Sequence, residues 1–386
     1  MNLTESFRTS PDTESSSLDT GIRMGNPGAG VRFFRTKAFA VILIVCLGFS
    51  LRLRTGLLFP LSYDEYHYLS AANNYAYWIY QGRIDRVLTA KQNYMHPPLV
   101  KYIFAAAILL TNSKGDFENN RLVVRMLSVL AGTACVAVLA WMCPMAGLAL
   151  AVHNIGVKFN GLAYLDSFPM LFSFLAVLAC EKAGARTGKW FYGSAVLLAA
   201  TAASKLPFVI VGVPIVYFTW ISHRPRTRSL LKYGLTFFLA FALLNPVWWF
   251  RTGTEVVATV LFHYDYSRSE YVSHFGLPWY QPLKYLFMTR TVATEPRQLL
   301  QLDPYVFLAS LLGLGLLWKQ RPIYLCWYAT AMSFLFIWPT KWTHYPMILL
   351  VPLCLSCGLA VEWTARRWGF FTKSLAQRWP IKMKAP

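Results

Sequence analysis

Long apolar runs separated by short polar segments are the feature that most constrains what this chain can fold into. Each run is about as long as the roughly 20 residues that a helix needs to cross a hydrocarbon core of roughly 30 Å. The runs lie at 36–51, 98–112, 122–142, 162–181, 190–204, 206–222, 231–250, 302–318, 322–338 and 346–362. Hydrophobic residues make up 56% of the 386 residues and charged residues only 14%, which is too little charge to cover a soluble domain of this size. The sequence predicts an all-α polytopic membrane protein that crosses the bilayer about ten times.

One further apolar stretch, 144–161, does not fit this pattern. It is interrupted by Pro144, Gly156, Lys158 and Gly161. Irregular backbone is tolerated at membrane depth only where it is buried in protein or lines a cavity. We therefore expect 144–161 to be re-entrant or interfacial rather than a full span.

The formal net charge of +20 raises the question of a nucleic-acid partner, because basic patches bind phosphate backbones. The basic residues instead lie in short loops and near the termini, as the positive-inside rule expects for cytoplasmic segments. The loop residues are Lys182, Arg186, Lys189, Arg224, Arg226, Arg228, Lys232, Lys319, Arg321, Arg366 and Arg367. We predict no nucleic-acid partner, and a multi-pass membrane protein with membrane lipids around it and both termini in the cytoplasm.

The same topology divides the chain into three parts. Residues 1–35 are rich in Ser, Thr, Gly and Asp, which predicts a disordered cytoplasmic tail. Residues 36–362 form the membrane domain, and 363–386 form a basic cytoplasmic tail. Two longer segments, 52–97 and 251–301, fall outside and are rich in Tyr, Trp and His, so we expect interfacial helices and the chemistry there.

The first outer segment contains the most informative motif. Asp64 and Glu65 follow the first apolar run within SYDEYHY, and His96 opens the turn before the second run. Carboxylates at this depth are costly unless they are paired or functional. A purely structural alternative is that Asp64 caps an interfacial helix, since carboxylates are favoured at helix N-termini.

Further polar residues lie at the same predicted face. Asp166 begins the fourth run, Lys205 stands at the turn between two runs, and Lys341, His344 and Tyr345 precede the last run. Each alone reads as an interfacial or snorkelling residue. Together they would place carboxylates and cations on one side of the membrane, as a site that holds a lipid-linked phosphate and activates a hydroxyl requires.

This set of motifs resembles the protein O-mannosyltransferases and their prokaryotic relatives, which are polyprenyl-phosphate-sugar-dependent glycosyltransferases of the GT-C fold. The matching pieces are DEYHY at 64–68, HPPLVK at 96–101, Arg121 at the start of the third run, AYLDSFPMLFSF at 163–174, ATAASK at 200–205 and TKWTHYP at 340–346. Val100 replaces the usual Gly of the second motif, and Tyr94 stands where these enzymes often carry Asp. The segment 251–301 is too short for the β-trefoil domain of the eukaryotic enzymes, which points to a prokaryotic plasma membrane.

The resemblance implies transfer of a sugar, with inversion, from a polyprenyl-phosphate donor to a hydroxyl on the outer face. Mannose and a protein Ser or Thr are the family default. Asp64 is then the catalytic base, with Glu65 as its partner in the catalytic motif. The implied donor-phosphate residues are Lys205, Lys341, His344, Tyr345 and Arg52, and the residues that organise the site are His67, His96, Asp166 and Arg121.

Three alternatives stay open from the sequence alone. In the first, the enzyme class holds but the acceptor is a lipid or cell-envelope glycan, as in the related aminoarabinose transferases. In the second, the chain is a transporter or flippase whose charged residues mark a substrate path. The third concerns a metal ion. No close-spaced metal-ligand motif occurs and no cofactor is implied with certainty, but Glu65 with His263 or His274 could ligate a divalent metal.

Overall fold

A computed structural model describes residues 27–90, 92–93, 95–111, 116–250, 255–287 and 301–378. Most of the predicted N-terminal tail, Tyr94, parts of 251–301 and the end of the basic C-terminal tail lie outside the described residues. Residues 27–35 of the predicted N-terminal tail belong to the first helix. The predicted C-terminal tail, which begins at 363, starts as the continuation of the last helix.

The described residues form helices and no strands, which confirms the predicted all-α class. The α-helices are α1 (Pro27–Leu58), α2 (Tyr63–Tyr80), α3 (Ile84–Thr89), α4 (Leu99–Leu110), α5 (Phe117–Met142), α6 (Pro144–Val152), α7 (Asn154–Gly161), α8 (Ser167–Ala183), α9 (Lys189–Ser204), α10 (Gly212–Ser222), α11 (Arg226–Leu244), α12 (Pro246–Phe250), α13 (Glu255–Ser267), α14 (Glu270–Phe275), α15 (Gln281–Phe287), α16 (Asp303–Gln320), α17 (Pro322–Ile337) and α18 (Leu350–Arg378). Short 3₁₀ helices at Leu206–Val211 and Tyr345–Ile348 precede α10 and α18.

Three of the described helices are long and apolar enough to span a membrane by themselves. They are the Lys37–Leu58 part of α1, all of α5 and all of α11. Shorter apolar helices lie at Leu99–Leu110, Leu206–Ser222 and Pro322–Ile337. Length and composition thus agree with a polytopic membrane protein.

The helix bundle has two distinct ends. At one end, Arg125 of α5 pairs with Glu65 of α2 at 2.6 Å, so the start of α5 lies beside the acidic motif. At the other end, the Cys143 thiol donates to a Glu362 carboxylate oxygen at 3.1 Å, so the end of α5 lies beside the end of α18. We call these the site end and the basic end, since the basic loops lie at the second.

This arrangement corrects the predicted path in two places. α4 has 12 residues, and at 1.5 Å per residue it is about 18 Å long, which is too short to cross the bilayer. It lies beside α2, and both the turn before it and the start of α5 are at the site end. The run 98–112, predicted as a span, therefore starts and finishes at one end of the bundle.

The stretch 144–161, predicted as re-entrant or interfacial, instead runs from one end of the bundle to the other. Cys143 lies at the basic end, and the Ala163 N–H, just after α7, donates to Glu65 at the site end. The interruptions at Pro144, Gly156, Lys158 and Gly161, which predict a re-entrant or interfacial segment, do not prevent this crossing, and the helix breaks at His153, between α6 and α7. The surrounding helices bury both halves completely enough that the interrupted backbone is tolerated.

Buried polar side chains satisfy the broken ends at His153. Arg52 of α1 is fully buried and donates to the Leu150 and Ala151 carbonyls at the end of α6, at 3.0 and 3.2 Å. The Asp303 carboxylate accepts from the Asn154 N–H at the start of α7, at 3.0 Å. Arg52 therefore supports the helix break, and its predicted role at a donor phosphate does not fit this position.

Close helix contacts at two glycines join α6, α16 and α18 tightly. A methyl group added at Gly313 would lie closer than 3.0 Å to the Ser356 backbone, and one at Gly358 would lie that close to the Ala146 backbone. Small residues allow helix backbones to approach in this way where no hydrophobic effect drives association in lipid. These three helices form a densely joined base below the site end.

Candidate active site

A cavity of about 770 Å³ opens at the site end of the bundle. It lies between α2, the turn before α4, the starts of α8 and the 3₁₀ helix after α9, and the loop after α17, with α13 and α14 above. The lining residues are Tyr63, Asp64, His67, Tyr68, Ser70, Ala71, Gln92, Asn93, Met95, His96, Tyr164, Lys205, Phe262, His263, Tyr266, Tyr271, Trp338, Thr340, Trp342, His344 and Tyr345. Its volume falls within the range of ligand-binding pockets, roughly 300–1,000 Å³.

Asp64 is the only carboxylate among the described lining residues. It stands in the first turn of α2, where the helix dipole favours a negative charge. The side chain is half-buried and makes no hydrogen bond or ion pair within the described part of the chain. A carboxylate held in this way can accept a proton from a ligand.

Glu65 lies one residue further along but has a different environment. It is fully buried and does not line the cavity. Arg125 donates to both of its oxygens, at 2.6 and 2.7 Å, and the Ala163 and Ser62 N–H groups donate at 2.8 and 3.3 Å. Glu65 therefore cannot contact a ligand in the cavity directly, and of the two predicted catalytic residues Asp64 is the one that reaches the cavity.

Arg125 is the cation that the sequence reading missed. Arg121, predicted to organise the site, pairs with Glu118 on its own helix at 2.5 Å and does not line the cavity. Arg125 follows one helical turn later and is buried. It also donates to the carbonyls of 56, 59 and 60, at 2.7–3.1 Å, and so ties the end of α1 to the start of α2.

Asp166 and Lys205 form the second buried ion pair. The Lys205 ammonium donates to both Asp166 oxygens, at 2.9 and 2.7 Å, and both side chains are almost completely buried. Only Lys205 reaches the cavity wall, where it is the single Lys or Arg among the described lining residues. Asp166 balances its charge, so the 163–174 and 200–205 motifs meet in a direct contact.

Lys341, by contrast, does not line this cavity. Its ammonium donates to the carbonyls of Leu335 and Phe336, at 2.8 and 2.9 Å, and to that of Trp338, and so caps the end of α17. All three N–H donors are used. The predicted role of Lys341 at the donor phosphate, and its convergence with Asp64 and Lys205, do not fit this geometry, although its neighbours His344 and Tyr345 do reach the cavity.

Four histidines line the cavity. His67 is exposed beside Tyr63, His96 is half-buried and His344 is buried, and His96 Nε2 lies 3.4 Å from the Tyr68 hydroxyl. Desolvation and then the nearby Lys205 charge hold the pKa of the His96 and His344 imidazoles well below the ordinary value. They are neutral at pH 7 and leave the charge of the site to Asp64 and Lys205.

His263, Tyr266 and Tyr271 enter the cavity from α13 and α14 and were not predicted as donor or acceptor residues. His263 Nε2 lies 2.9 Å from the Met95 carbonyl oxygen, which links the second outer segment to the turn before α4. The only sequence signal was the Tyr, Trp and His content of 251–301. No motif spacing indicated which of these side chains faces the ligand.

The arrangement does not bring together the predicted alternative metal ligands. Glu65 is enclosed by Arg125, and His263 contacts a carbonyl. No group of three or more metal-ligating side chains is found among the residues that the structure describes.

The all-helical fold with its apolar helices fits a polytopic membrane protein. More particularly, residues 95–250 match the family model described as "Dolichyl-phosphate-mannose-protein mannosyltransferase", which confirms the resemblance inferred from the motifs and supports a membrane glycosyltransferase of the GT-C type. The matched range includes His96, Arg125, Asp166 and Lys205, while Asp64 lies before it. Comparison with curated proteins and comparison with solved structures each found no match.

Proposed function

We propose that this chain transfers a sugar, with inversion, from a polyprenyl-phosphate donor to a hydroxyl acceptor at the outer face of the plasma membrane. Mannose is the proposed sugar and a protein Ser or Thr the proposed acceptor, by analogy with the matched family. Both termini would then lie in the cytoplasm, on the side of the basic end.

One observation carries the proposal: Asp64 is the unpaired carboxylate of the cavity. Glu65 and Asp166 lie close by in the fold, but Arg125 and Lys205 neutralise them. An inverting transfer needs a single base beside the anomeric carbon, because the acceptor attacks that carbon in one step. Among the carboxylates in and around the described cavity lining, Asp64 alone is available for this role.

The bonds that form and break in the proposed reaction assign one role to Asp64 and another to Lys205. As the acceptor oxygen attacks the anomeric carbon, Asp64 takes the hydroxyl proton, and the bond from that carbon to the phosphate oxygen breaks with its electron pair on the phosphate. Lys205 supplies a fixed positive charge in the wall of the same cavity. The two hydrogen bonds to Asp166 hold the Lys205 ammonium in place.

Purified protein in lipid nanodiscs, given radiolabelled polyprenyl-phosphate mannose and a Ser/Thr-rich peptide, tests the proposal. We expect labelled peptide to form, and Asp64→Asn to lower turnover by about 10²–10⁴-fold, the usual effect of losing a general base. Donor binding should be nearly unchanged because the amide keeps the side-chain shape. Asp265→Asn on α13, an exposed site outside the cavity lining, is the matched control.

The assay separates this proposal from its alternatives. Label that appears on lipid or glycan but not on peptide would replace the proposed acceptor and keep the enzyme class. Label that only crosses the membrane unchanged would indicate a transporter or flippase. Full turnover by the Asp64→Asn protein would overturn the proposed base.

A further inference from the structure

The proposed reaction creates negative charge that the described cations do not meet. A donor phosphodiester carries one negative charge, whereas the leaving phosphate monoester carries up to two, since its second pKa is about 6. Lys205 is already balanced by Asp166, and the other buried cations near the cavity are paired or bound to carbonyls. A group that acquires charge during the reaction would resolve this imbalance.

Histidine is the side chain suited to that task, and the four histidines of the cavity differ in what they can offer. His67 is exposed, and its ring packs against those of Tyr63 and Tyr66. His96 Nδ1 is sealed from the cavity and has no hydrogen-bond partner in the described chain, while its Nε2 contacts Tyr68. His344 stands among the rings of Phe159, Tyr164 and Tyr345, and no described carbonyl fixes its tautomer.

His263 differs because one ring nitrogen is anchored and the other is free. A carbonyl oxygen can only accept a hydrogen bond, so the contact with Met95 O at 2.9 Å fixes the proton on Nε2. Nδ1 then carries the lone pair and is available to the cavity that the ring lines. An imidazole held in this way can accept and release a proton at one defined atom.

We propose that His263 is the general acid that protonates the leaving phosphate. This inference rests on the proposed function and adds a residue to it. His263 takes a proton from water at Nδ1 when the anionic donor binds. As the bond from the anomeric carbon to the phosphate oxygen breaks, that proton passes from Nδ1 to the phosphate oxygen while Asp64 receives the acceptor proton. The total charge of the site is the same before and after transfer.

The groups that face His263 agree with this assignment. Burial, and then the Lys205 charge, lower its pKa, while the Met95 carbonyl raises it. The His96 ring stands 5.9 Å away, centroid to centroid, and Asp64 is the carboxylate that shares the cavity. The empty site therefore keeps His263 neutral, and the negative donor is what stabilises its protonated form.

Two measurements test the proposal with the His263→Gln variant. The Gln amide N–H can still donate to the Met95 carbonyl, but the amide does not take up and release a proton as an imidazole does. His274→Gln, an exposed residue of α14 outside the cavity lining, is the matched control. We expect kcat of the His263 variant to fall by about 10²-fold. In the wild-type protein kcat should decline on the alkaline side of its pH profile, and this decline should be absent in the His263→Gln protein but kept in the control.

Binding of polyprenyl phosphate, followed by calorimetry in buffers of different ionisation enthalpy, gives a readout without turnover. The wild-type protein and the His274 variant should take up a proton near pH 7.5, and the His263 variant should not. Unchanged proton uptake, or a slower His263→Gln enzyme that keeps the alkaline decline, would show that His263 only holds α13 in place. If the wild-type protein transfers no sugar, the proposed function fails instead.

Discussion

Replacing Arg125 by methionine should damage both the fold and the chemistry, and the structure gives the size of the effect. The side chain donates five hydrogen bonds, two to Glu65 and three to backbone carbonyls at 56, 59 and 60. Two unit charges about 4 Å apart interact by about 4 kcal/mol at an effective dielectric constant near 20. Removing one partner of a buried pair costs about 3–5 kcal/mol, because the other charge stays buried alone.

A double-mutant cycle in nanodiscs measures this coupling. Arg125→Met should lower the unfolding free energy strongly and Glu65→Gln should also lower it, whereas the double variant should lose less than the sum of the two. Turnover should fall in both single variants because Asp64 adjoins Glu65 at the start of α2. Arg121→Met, one turn earlier on the same helix, is the control and should behave like the wild type. Additive effects of the two changes would refute the reasoning.

Lys341→Met should lower the free energy of unfolding by about 1–3 kcal/mol, because carbonyls at the end of α17 lose their donor, and should change the KM for the sugar donor little. A large increase in that KM at matched protein levels would instead support the donor-phosphate role. Gly358→Ala should lower the melting temperature markedly because a methyl group there meets the Ala146 backbone, and melting at the wild-type temperature would contradict that contact. Burial holds the pKa of the His344 imidazole below its value in the unfolded chain, so this contribution to stability should be complete above about pH 6.5 and decline as the pH falls. His344→Gln should reduce the change in melting temperature measured between pH 8 and pH 5.

The helical class and most helix positions could be predicted because apolar runs and helix length both follow from the thickness of the bilayer. The two errors of path have one cause. Hydropathy reports how apolar a segment is, but α4 is apolar because it is covered by α2 and α5, and 144–161 is interrupted because its polar ends are satisfied inside the bundle. Only tertiary contacts distinguish these cases from lipid exposure.

The sequence could predict which motifs lie near one another in the candidate site. It could not predict which of their side chains reach the cavity and which are bound by partners inside the protein. Asp64 and Glu65 are adjacent in sequence, yet the helical turn directs one to the cavity and the other to Arg125. Lys205 and Lys341 looked equivalent, yet one meets a carboxylate and the other three carbonyls. His263 carried no motif at all, since its position depends on how α13 lies over the turn before α4.

The close contacts of α16 with α18, and of α18 with α6, restrict how this protein can move. Alternating access requires whole groups of helices to rock against one another around a central site. Backbones that touch at Gly313 and Gly358 leave no layer of side chains to slide or re-pack during such a motion. We therefore expect α6, α16 and α18 to move as one unit, and any rearrangement that admits a ligand to the cavity to occur in helices outside this group, such as α13.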